Sequence, residues 1–146
     1  HKKIAKNIVK YADEGKMNTT FDLKESIKEV INPKYLNKIL SRVFQAIRIV
    51  CNDEINTLKK ALLNSFEYLN EGGRIAVITF HSIEDRIVKH FLKDTVIYKN
   101  SSYEIEYKAN EKQFRAIGKK PIRPLESELK NNSRSRSAKL RIAIKI

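Results

Sequence analysis

The first 40 residues place apolar side chains at the three- and four-residue spacing that is typical of amphipathic helices. This spacing predicts a first helix over residues 4–12, which Gly15 ends. The Thr19-Thr20 pair offers N-caps for a second helix that ends before an Asn-Pro pair, and a short helix or turn is predicted over residues 35–40. The pattern favours a small helical packing unit.

A longer stretch of helical spacing follows and ends in a glycine pair. Between residues 41 and 69 apolar positions recur every three or four residues, which predicts one long helix or two nearly collinear ones. Asn70 and the pair Gly72 and Gly73 end it, since glycine tolerates the left-handed conformation of a helix C-cap. The next residues, 74–80, read RIAVITF. Such a short apolar run is typical of a strand that is covered on both faces, as in parallel sheets.

The remainder of the chain alternates between helix and strand patterns. Residues 83–92 carry a helical apolar stripe, so the order helix, glycine pair, strand, helix indicates a doubly wound α/β fold. Alternating side chains predict strands over residues 103–107 and 140–146, and residues 114–117 are predicted to belong to another strand. Residues 119–137, which contain two prolines, are predicted to be mostly loop.

The net charge favours one kind of binding partner over others. The chain of 146 residues carries a formal net charge of +13 and has a pI near 9.8. Lysine and arginine that neutralise phosphates release condensed counterions, so nucleic acid is the leading candidate partner. The abundant Lys, Asn and Ile are also what an AT-rich coding bias produces, and a purely compositional origin of the charge stays open.

The sequence also excludes several classes of protein. Cys51 is the only cysteine, so neither an intrachain disulfide nor a thiolate zinc cluster is possible. No apolar run approaches the roughly 20 residues of a membrane span, and the basic N-terminal segment lacks the features of a secretory signal. We expect no membrane association and no metal site, and a reducing cytoplasm is the simplest compartment.

The turn after RIAVITF contains the side chains best suited to chemistry: His81, Ser82, Glu84 and Asp85. In open α/β sheets, ligands bind beyond the carboxyl ends of the strands, so this turn would face a crevice. His81 is the side chain of this turn best suited to transfer a proton or to hydrogen bond a base edge, with turn packing as the alternative role. Ser82 is the expected N-cap of the helix, and acids in the first turn also stabilise a helix without any catalytic role.

Two polar clusters are candidates for contact with RNA. One lies on the polar face of the long predicted helix, and the other precedes and enters the last predicted strand. A solvated helix face and a generic basic loop are the alternative explanations. The sequence shows no glycine-rich loop after an early strand that would accept a nucleotide-like cofactor. The candidate residues are Arg42, Gln45, Arg48 and Asn52 in the first cluster, and Arg134, Arg136 and Arg141 in the second.

Three segments resemble successive signature blocks of the bacterial 16S ribosomal RNA cytosine-N4 methyltransferase family. They are RVFQAIRIVCNDEI (residues 42–55), GGRIAVITFHSIEDRIVK (residues 72–89) and SRSRSAKLRIA (residues 133–143). Their order and spacing also fit that family. The chain departs from the family pattern at Thr79, Cys51 and Ser133, and only the last of these puts the conformation of a loop in doubt.

The resemblance implies the C-terminal half of a class I methyltransferase, with a Rossmann-like α/β sheet. Residues 1–40 would be the end of an inserted helical subdomain, and residues 41–146 would be the C-terminal half of the methyltransferase domain. RIAVITF would be the fifth strand of that sheet, and the last segments would be its antiparallel closing strands. The glycine-rich loop that binds S-adenosylmethionine would lie upstream, so no cofactor-binding residue is assigned in this chain.

The reaction implied by the resemblance is methyl transfer from S-adenosylmethionine to N4 of a cytidine in 16S ribosomal RNA. His81 would position the base, with Glu84 and Asp85 as further catalytic candidates. The small ribosomal subunit would be the partner, together with a separate N-terminal half if the enzyme is split, and this chain alone would be inactive. The alternative is a non-catalytic basic module that binds ribosomal RNA.

Overall fold

The computed structural model describes residues 2–93, 96–98, 105–107 and 114–146. The chain divides into two units, His1–Glu54 and Ile55–Ile146. In the described part of the chain, no helix is both long enough and apolar enough to cross a membrane.

The first unit contains three helices, α1 (Lys2–Asp13), α2 (Thr20–Lys28) and α3 (Leu36–Cys51), with a 3-10 turn at Pro33–Tyr35. These helices confirm the predicted helical unit. Its core is formed by Ile4, Leu23 and Ile27, against which apolar side chains of α3 pack. Thr19 is the N-cap of α2 and forms a capping box with Asp22, which confirms the predicted start of that helix.

The helical stretch predicted over residues 41–69 is two helices. The helix α3 already begins at Leu36, so the predicted turn over residues 35–40 is its first turn, and α4 spans Glu54–Tyr68. Asp53, between them, adopts a φ of +49°, in the left-handed region that interrupts a helix. Residue 40 lies inside α3, and the subdomain boundary placed there stays a prediction.

The second unit is built on a three-stranded sheet of β1 (Arg74–Thr79), β4 (Phe114–Ile122) and β5 (Lys139–Lys145). Its order is β1-β5-β4, and β5 is antiparallel to both neighbours. A separate antiparallel pair joins β2 (Val96–Tyr98) to β3 (Ile105–Tyr107). The strand prediction over residues 114–117 is confirmed, that over 140–146 is confirmed for 140–145, and that over 103–107 is confirmed for 105–107. Tyr103 and Glu104 lie outside the described residues.

The prediction that both faces of β1 are covered is wrong for this chain. The apolar run RIAVITF indicated a strand covered on both faces, but the exposure of its side chains alternates along β1, and Ile78 is 59% exposed. The only strand that pairs with β1 among the described residues is β5, and the pairing is antiparallel. Apolar side chains on both faces require cover on both faces, and the described residues cover only one.

The stretch between residues 119 and 137, which was predicted to be mostly loop, is largely regular secondary structure. The strand β4 extends to Ile122, α6 spans Glu126–Asn131, and a 3-10 helix spans Ser133–Ser137. The prolines in this stretch favoured a loop prediction. Pro121 nevertheless fits within β4, because it lies in an irregular part of the strand that needs no ladder hydrogen bond from it.

The helix α5 (Ser82–Lys93) covers one face of this sheet. Its buried stripe consists of Ile87, Val88, Phe91 and Leu92. Phe114 of β4 is buried between two aromatic rings, with centroids 5.4 Å from Phe91 and 5.5 Å from Phe66 of α4. This packing holds the last turns of α5 against β4.

The glycine pair and Lys145 join the end of α4 to the sheet. Gly72 has a φ of +75°, and a Cβ on Gly73 would lie 2.7 Å from the Asn70 carbonyl oxygen, so both positions require glycine. The Nζ of Lys145 donates to the carbonyl oxygens of Phe66 and Leu69, each at 2.7 Å. A cation at this place satisfies carbonyls that the helix leaves unpaired and complements its dipole.

Lys145→Met should lower the free energy of unfolding by about 1–2 kcal/mol, because the two carbonyls lose their charged donor while the aliphatic stem is kept. Urea denaturation of both proteins measures the difference. Lys60→Met, at an exposed position of α4, is the matched control and should change stability little. Equal stabilities for the two variants would contradict the capping role of Lys145.

Candidate active-site turn and basic surfaces

The predicted chemical residues lie at the junction of β1 and α5. His81 immediately precedes α5, whose first residue is Ser82. The Nδ1 atom of His81 accepts a hydrogen bond from the backbone N–H of Glu84 at 3.3 Å. The Oε2 atom of Glu84 accepts from the backbone N–H groups of Phe80, at 2.8 Å, and of His81, at 3.2 Å.

These reciprocal bonds form a capping box in which His81 is the N-cap and Glu84 is the third helical residue. The prediction that Ser82 is the N-cap is therefore wrong. Ser82 is exposed and occupies the first position inside the helix. Serine, threonine and aspartate are the commonest N-caps, and an imidazole that accepts through Nδ1 performs the same task in this turn.

The second ring nitrogen of His81 has no such partner. Because Nδ1 accepts a hydrogen bond, the neutral imidazole carries its proton on Nε2. The side chain is 11% exposed, and Nε2 is a buried atom that forms no hydrogen bond with the described residues. It lies 3.2 Å from Oε1 of Glu84, close enough for electrostatic attraction but without hydrogen-bond geometry. A buried donor in this state is suited to bind an acceptor on a ligand.

Asp85 has a different environment from Glu84, although the two are adjacent. Its carboxylate accepts from Arg141 Nε at 2.8 Å and from Lys139 Nζ at 3.0 Å, and its side chain is 14% exposed. Partial burial acts to raise the pKa of Asp85, but hydrogen bonds from Arg141 and Lys139 and their charges outweigh it and hold that pKa below its usual value. Asp85 thereby ties α5 to β5, and a catalytic role for it stays a prediction.

Two of the predicted RNA-binding residues on α3 are engaged near the end of that helix. Arg48 binds the carboxylate of Glu54 through Nε at 2.8 Å and through Nη2 at 3.2 Å. The amide of Asn52 donates to the same carboxylate at 3.2 Å. Arg42 is exposed and Gln45 is half-buried. The structure thus brings Arg48 and Asn52 together on Glu54, and their contact with RNA stays a prediction.

The second predicted cluster divides between surface and interior. Arg134 and Arg136 are exposed on the 3-10 helix, which Ser135 anchors by donating to the Asn132 carbonyl at 2.8 Å. Arg141 instead points to Asp85 and is 14% exposed. Arg134 and Arg136 are therefore the members of this cluster that are presented to solvent.

A second basic surface, which was not predicted, lies on β4 and the last turns of α5, around Gly118, Lys119 and Lys120. A glycine and a proline within three residues of each other, inside a strand pattern, signal a bulge, and bulges are frequent beside functional sites. The sequence GKKP carries that signal at residues 118–121.

The fold and the turn define a basic mixed α/β protein whose polar turn follows a strand, an arrangement that is consistent with part of a methyltransferase fold. The chain belongs to the MraW methylase family, an enzyme family whose sequence profile matches residues 1–146.

Individual relatives agree with the family match. The chain is 44% identical over 150 residues to the ribosomal RNA small subunit methyltransferase H of Caldicellulosiruptor saccharolyticus, covering 99% of this chain and 48% of that protein. It is 46% identical over 144 residues to the protein of the same name from Karelsulcia muelleri, covering 99% of this chain and 47% of the relative. For the Flavobacterium johnsoniae protein of that name the identity is 43%, over 98% of this chain and 47% of the relative. The chain spans about half the length of these relatives.

Asp85→Asn should lower the free energy of unfolding at neutral pH by about 2 kcal/mol, because Arg141 and Lys139 lose their charged partner. The folded-state pKa of Asp85 lies below its unfolded value. The carboxylate therefore contributes stability above the unfolded pKa of ~4, and this contribution is lost as the pH falls through the folded-state pKa.

Chemical denaturation of wild type and variant from neutral to acidic pH measures this dependence, with Glu67→Gln, at an exposed position of α4, as the control. The difference between wild type and Asp85→Asn should shrink as the pH falls. A difference that is constant with pH would show that the lost stability does not come from the charge of Asp85.

Proposed function

We propose that the chain is the C-terminal part of an enzyme that transfers a methyl group from S-adenosylmethionine to N4 of a cytidine in 16S ribosomal RNA. The family match over all 146 residues carries this proposal. The relatives, named as small-subunit ribosomal RNA methyltransferases, support the substrate class. The position of β5 between β1 and β4, antiparallel to both, supports assigning these strands to the closing part of a methyltransferase sheet.

His81 and Glu84 offer a donor and an acceptor that match the pairing edge of cytosine. That edge presents the N4 amine, a donor, beside N3, an acceptor. In the proposed complex the Nε2–H of His81 donates to N3, and Oε1 of Glu84, which lies 3.2 Å from Nε2, accepts from the amine. Nε2 is buried, so side chains of the turn must move to admit the base.

This pair would address the main chemical difficulty of the reaction. The exocyclic amine is a poor nucleophile because its lone pair is delocalised into the ring. A carboxylate that accepts one of its N–H groups raises the electron density on the nitrogen, and a donor at N3 fixes the plane of the ring. Oε2 of Glu84 is already held by two backbone N–H groups, which keeps the carboxylate in place.

The described residues do not fit the methyl donor. S-adenosylmethionine carries a positively charged sulfonium, whereas the described residues that line the cavity beside β4 include several cations and no carboxylate. The turn after β1 is FHSIED, which lacks the glycines that let a backbone approach a nucleotide closely. We therefore assign the donor site to another segment of the protein.

An exposed apolar surface beside the turn supports the existence of a packing partner. Ile78, Phe80 and Ile83 are each at least 50% exposed, and the edge of β1 opposite β5 is unpaired in the described part of the chain. Apolar side chains next to an open strand edge favour association with further protein. We propose that this surface contacts the segment that holds the donor, in the same polypeptide or in a separate N-terminal half.

Calorimetric titration of the 146-residue chain with S-adenosylmethionine should give no saturable heat, because the described residues do not fit the donor. S-adenosylhomocysteine, which lacks the sulfonium charge, should give none either. This second titration distinguishes a missing binding site from repulsion between the sulfonium and the basic chain. Saturable binding in the micromolar range would place the donor site within this chain and contradict the assignment.

His81→Asn should abolish base positioning while it keeps the helix cap. Asparagine is a favoured N-cap and replaces Nδ1 as acceptor, but it has no counterpart of Nε2. His81→Ala loses both functions. In the longest natural form of the protein that contains these residues, turnover on small-subunit ribosomal RNA should fall about 100-fold in both variants, within the range for a lost positioning or acid-base group. Only His81→Ala should also lose about 1 kcal/mol of stability.

Turnover and melting temperature are measured side by side, with Ser82→Ala as the control. Since Ser82 is exposed inside the first turn, its variant should retain turnover and most of its stability. Near-normal turnover in His81→Asn would show that His81 acts only as a cap, and the proposed role in positioning the base would be wrong.

A further inference from the structure

The strand β4 contains an interruption that forms one wall of a cleft. Its residues pair regularly with β5 up to Ile117, opposite Ile142, and pairing resumes with Ile122 opposite Leu140. Residues 118–121 therefore face a single residue of β5, Arg141. Gly118 has a φ of +85°, a conformation that favours glycine, and Pro121 has no N–H to leave unpaired. The segment GKKP is thus a bulge whose sequence suits its geometry.

The bulge and the last turns of α5 enclose a cavity of about 510 Å³. This volume is within the range of about 300–1,000 Å³ that is usual for ligand sites. Its floor includes apolar side chains from α5, β4 and β5, namely Leu92, Ile117 and Ile142. Among the described residues, every charged side chain that lines it is basic: Lys89, Lys93, Lys119, Lys120 and Arg141.

The lysines of this cleft are exposed. None of the four forms an ion pair with a carboxylate in the described part of the chain. Arg141 differs from them, because its charge is balanced by Asp85. Four exposed cations that no described carboxylate pairs with create a local positive potential, and this potential is the physical condition for binding a chain of phosphates.

We propose that this cleft, which the family match does not assign, binds a single-stranded segment of RNA. Lys89 and Lys93 on α5, with Lys119 and Lys120 on the bulge, contact successive phosphates, and the apolar floor receives a nucleoside face. The combination of a basic groove with an apolar platform is the usual means of binding single-stranded nucleic acid. That the strand is ribosomal RNA rests on the proposed function, whereas the preference for a single-stranded nucleic acid follows from the cleft itself.

The test compares two quadruple variants with the same change in charge. The cleft variant replaces Lys89, Lys93, Lys119 and Lys120 by Gln, and the control variant replaces four exposed lysines elsewhere, Lys3, Lys24, Lys38 and Lys60, by Gln. Fluorescence anisotropy with a single-stranded fragment of 16S ribosomal RNA gives affinity as a function of salt for the 146-residue chain. Circular dichroism checks that both variants are folded.

The cleft variant should bind about tenfold more weakly than wild type. Its slope of log affinity against log salt should be smaller by about 3, since each of the four lost contacts to a single strand removes about 0.7 of a counterion. The control variant should lose about twofold. A version with Arg at the four cleft positions keeps the charge and should restore binding, which also guards against a folding defect of the Gln variant. Equal losses in cleft and control variants would overturn the proposal.

Methylation by the longest natural form of the protein, measured in parallel, tests the proposed function separately. Selective loss of RNA binding in the cleft variant supports the cleft even if the wild-type protein does not methylate 16S ribosomal RNA. Wild-type methylation combined with unchanged RNA binding by the cleft variant would overturn the cleft and leave the proposed function intact.

Discussion

The structure of the second unit depends on the position of its last strand. β5 pairs along its length with β1 on one side and with β4 on the other. It also supplies the cations that attach the helices to the sheet: Lys139 and Arg141 bind Asp85 of α5, and Lys145 binds carbonyls at the end of α4. Residues more than 50 positions apart are therefore joined by one strand. The turn that contains His81 is fixed in space because both elements that flank it, β1 and α5, are attached to β5.

Two adjacent carboxylates in that turn illustrate how position decides the role of a side chain. The carboxylate of Asp85 binds two cations of β5, an arrangement that suits a side chain holding the helix to the sheet. One oxygen of Glu84 accepts from two backbone N–H groups, and the other lies 3.2 Å from Nε2 of His81. The same imidazole caps α5 through its other nitrogen. His81 therefore serves both the stability of the helix and the candidate chemistry. His81→Ala would remove both functions at once, so its effect on turnover could not be separated from its effect on stability.

The sequence predicted those features that depend on neighbouring residues. The helices α1, α2 and α5, the capping Thr19 and the left-handed Gly72 follow from local spacing and backbone freedom. The errors concern features that depend on distant residues. Local rules favour serine as an N-cap, and only the reciprocal bonds with Glu84 identify His81 instead. The apolar run of β1 indicates burial without identifying what buries it. The bulge of β4 exists because β5 sets the register on both sides of it.

The same distinction applies to charge. A formal net charge of +13 indicates a polyanionic partner, but a count of residues cannot separate cations that hold the fold together from those that face a ligand. Lys139, Arg141 and Lys145 belong to the first group, because each is bound to a carboxylate or to helix carbonyls. The lysines of the cleft and Arg134 and Arg136 are exposed and belong to the second. Cations of the second kind release counterions when RNA binds, so the salt dependence of binding should reflect the geometry of the cleft more than the total charge.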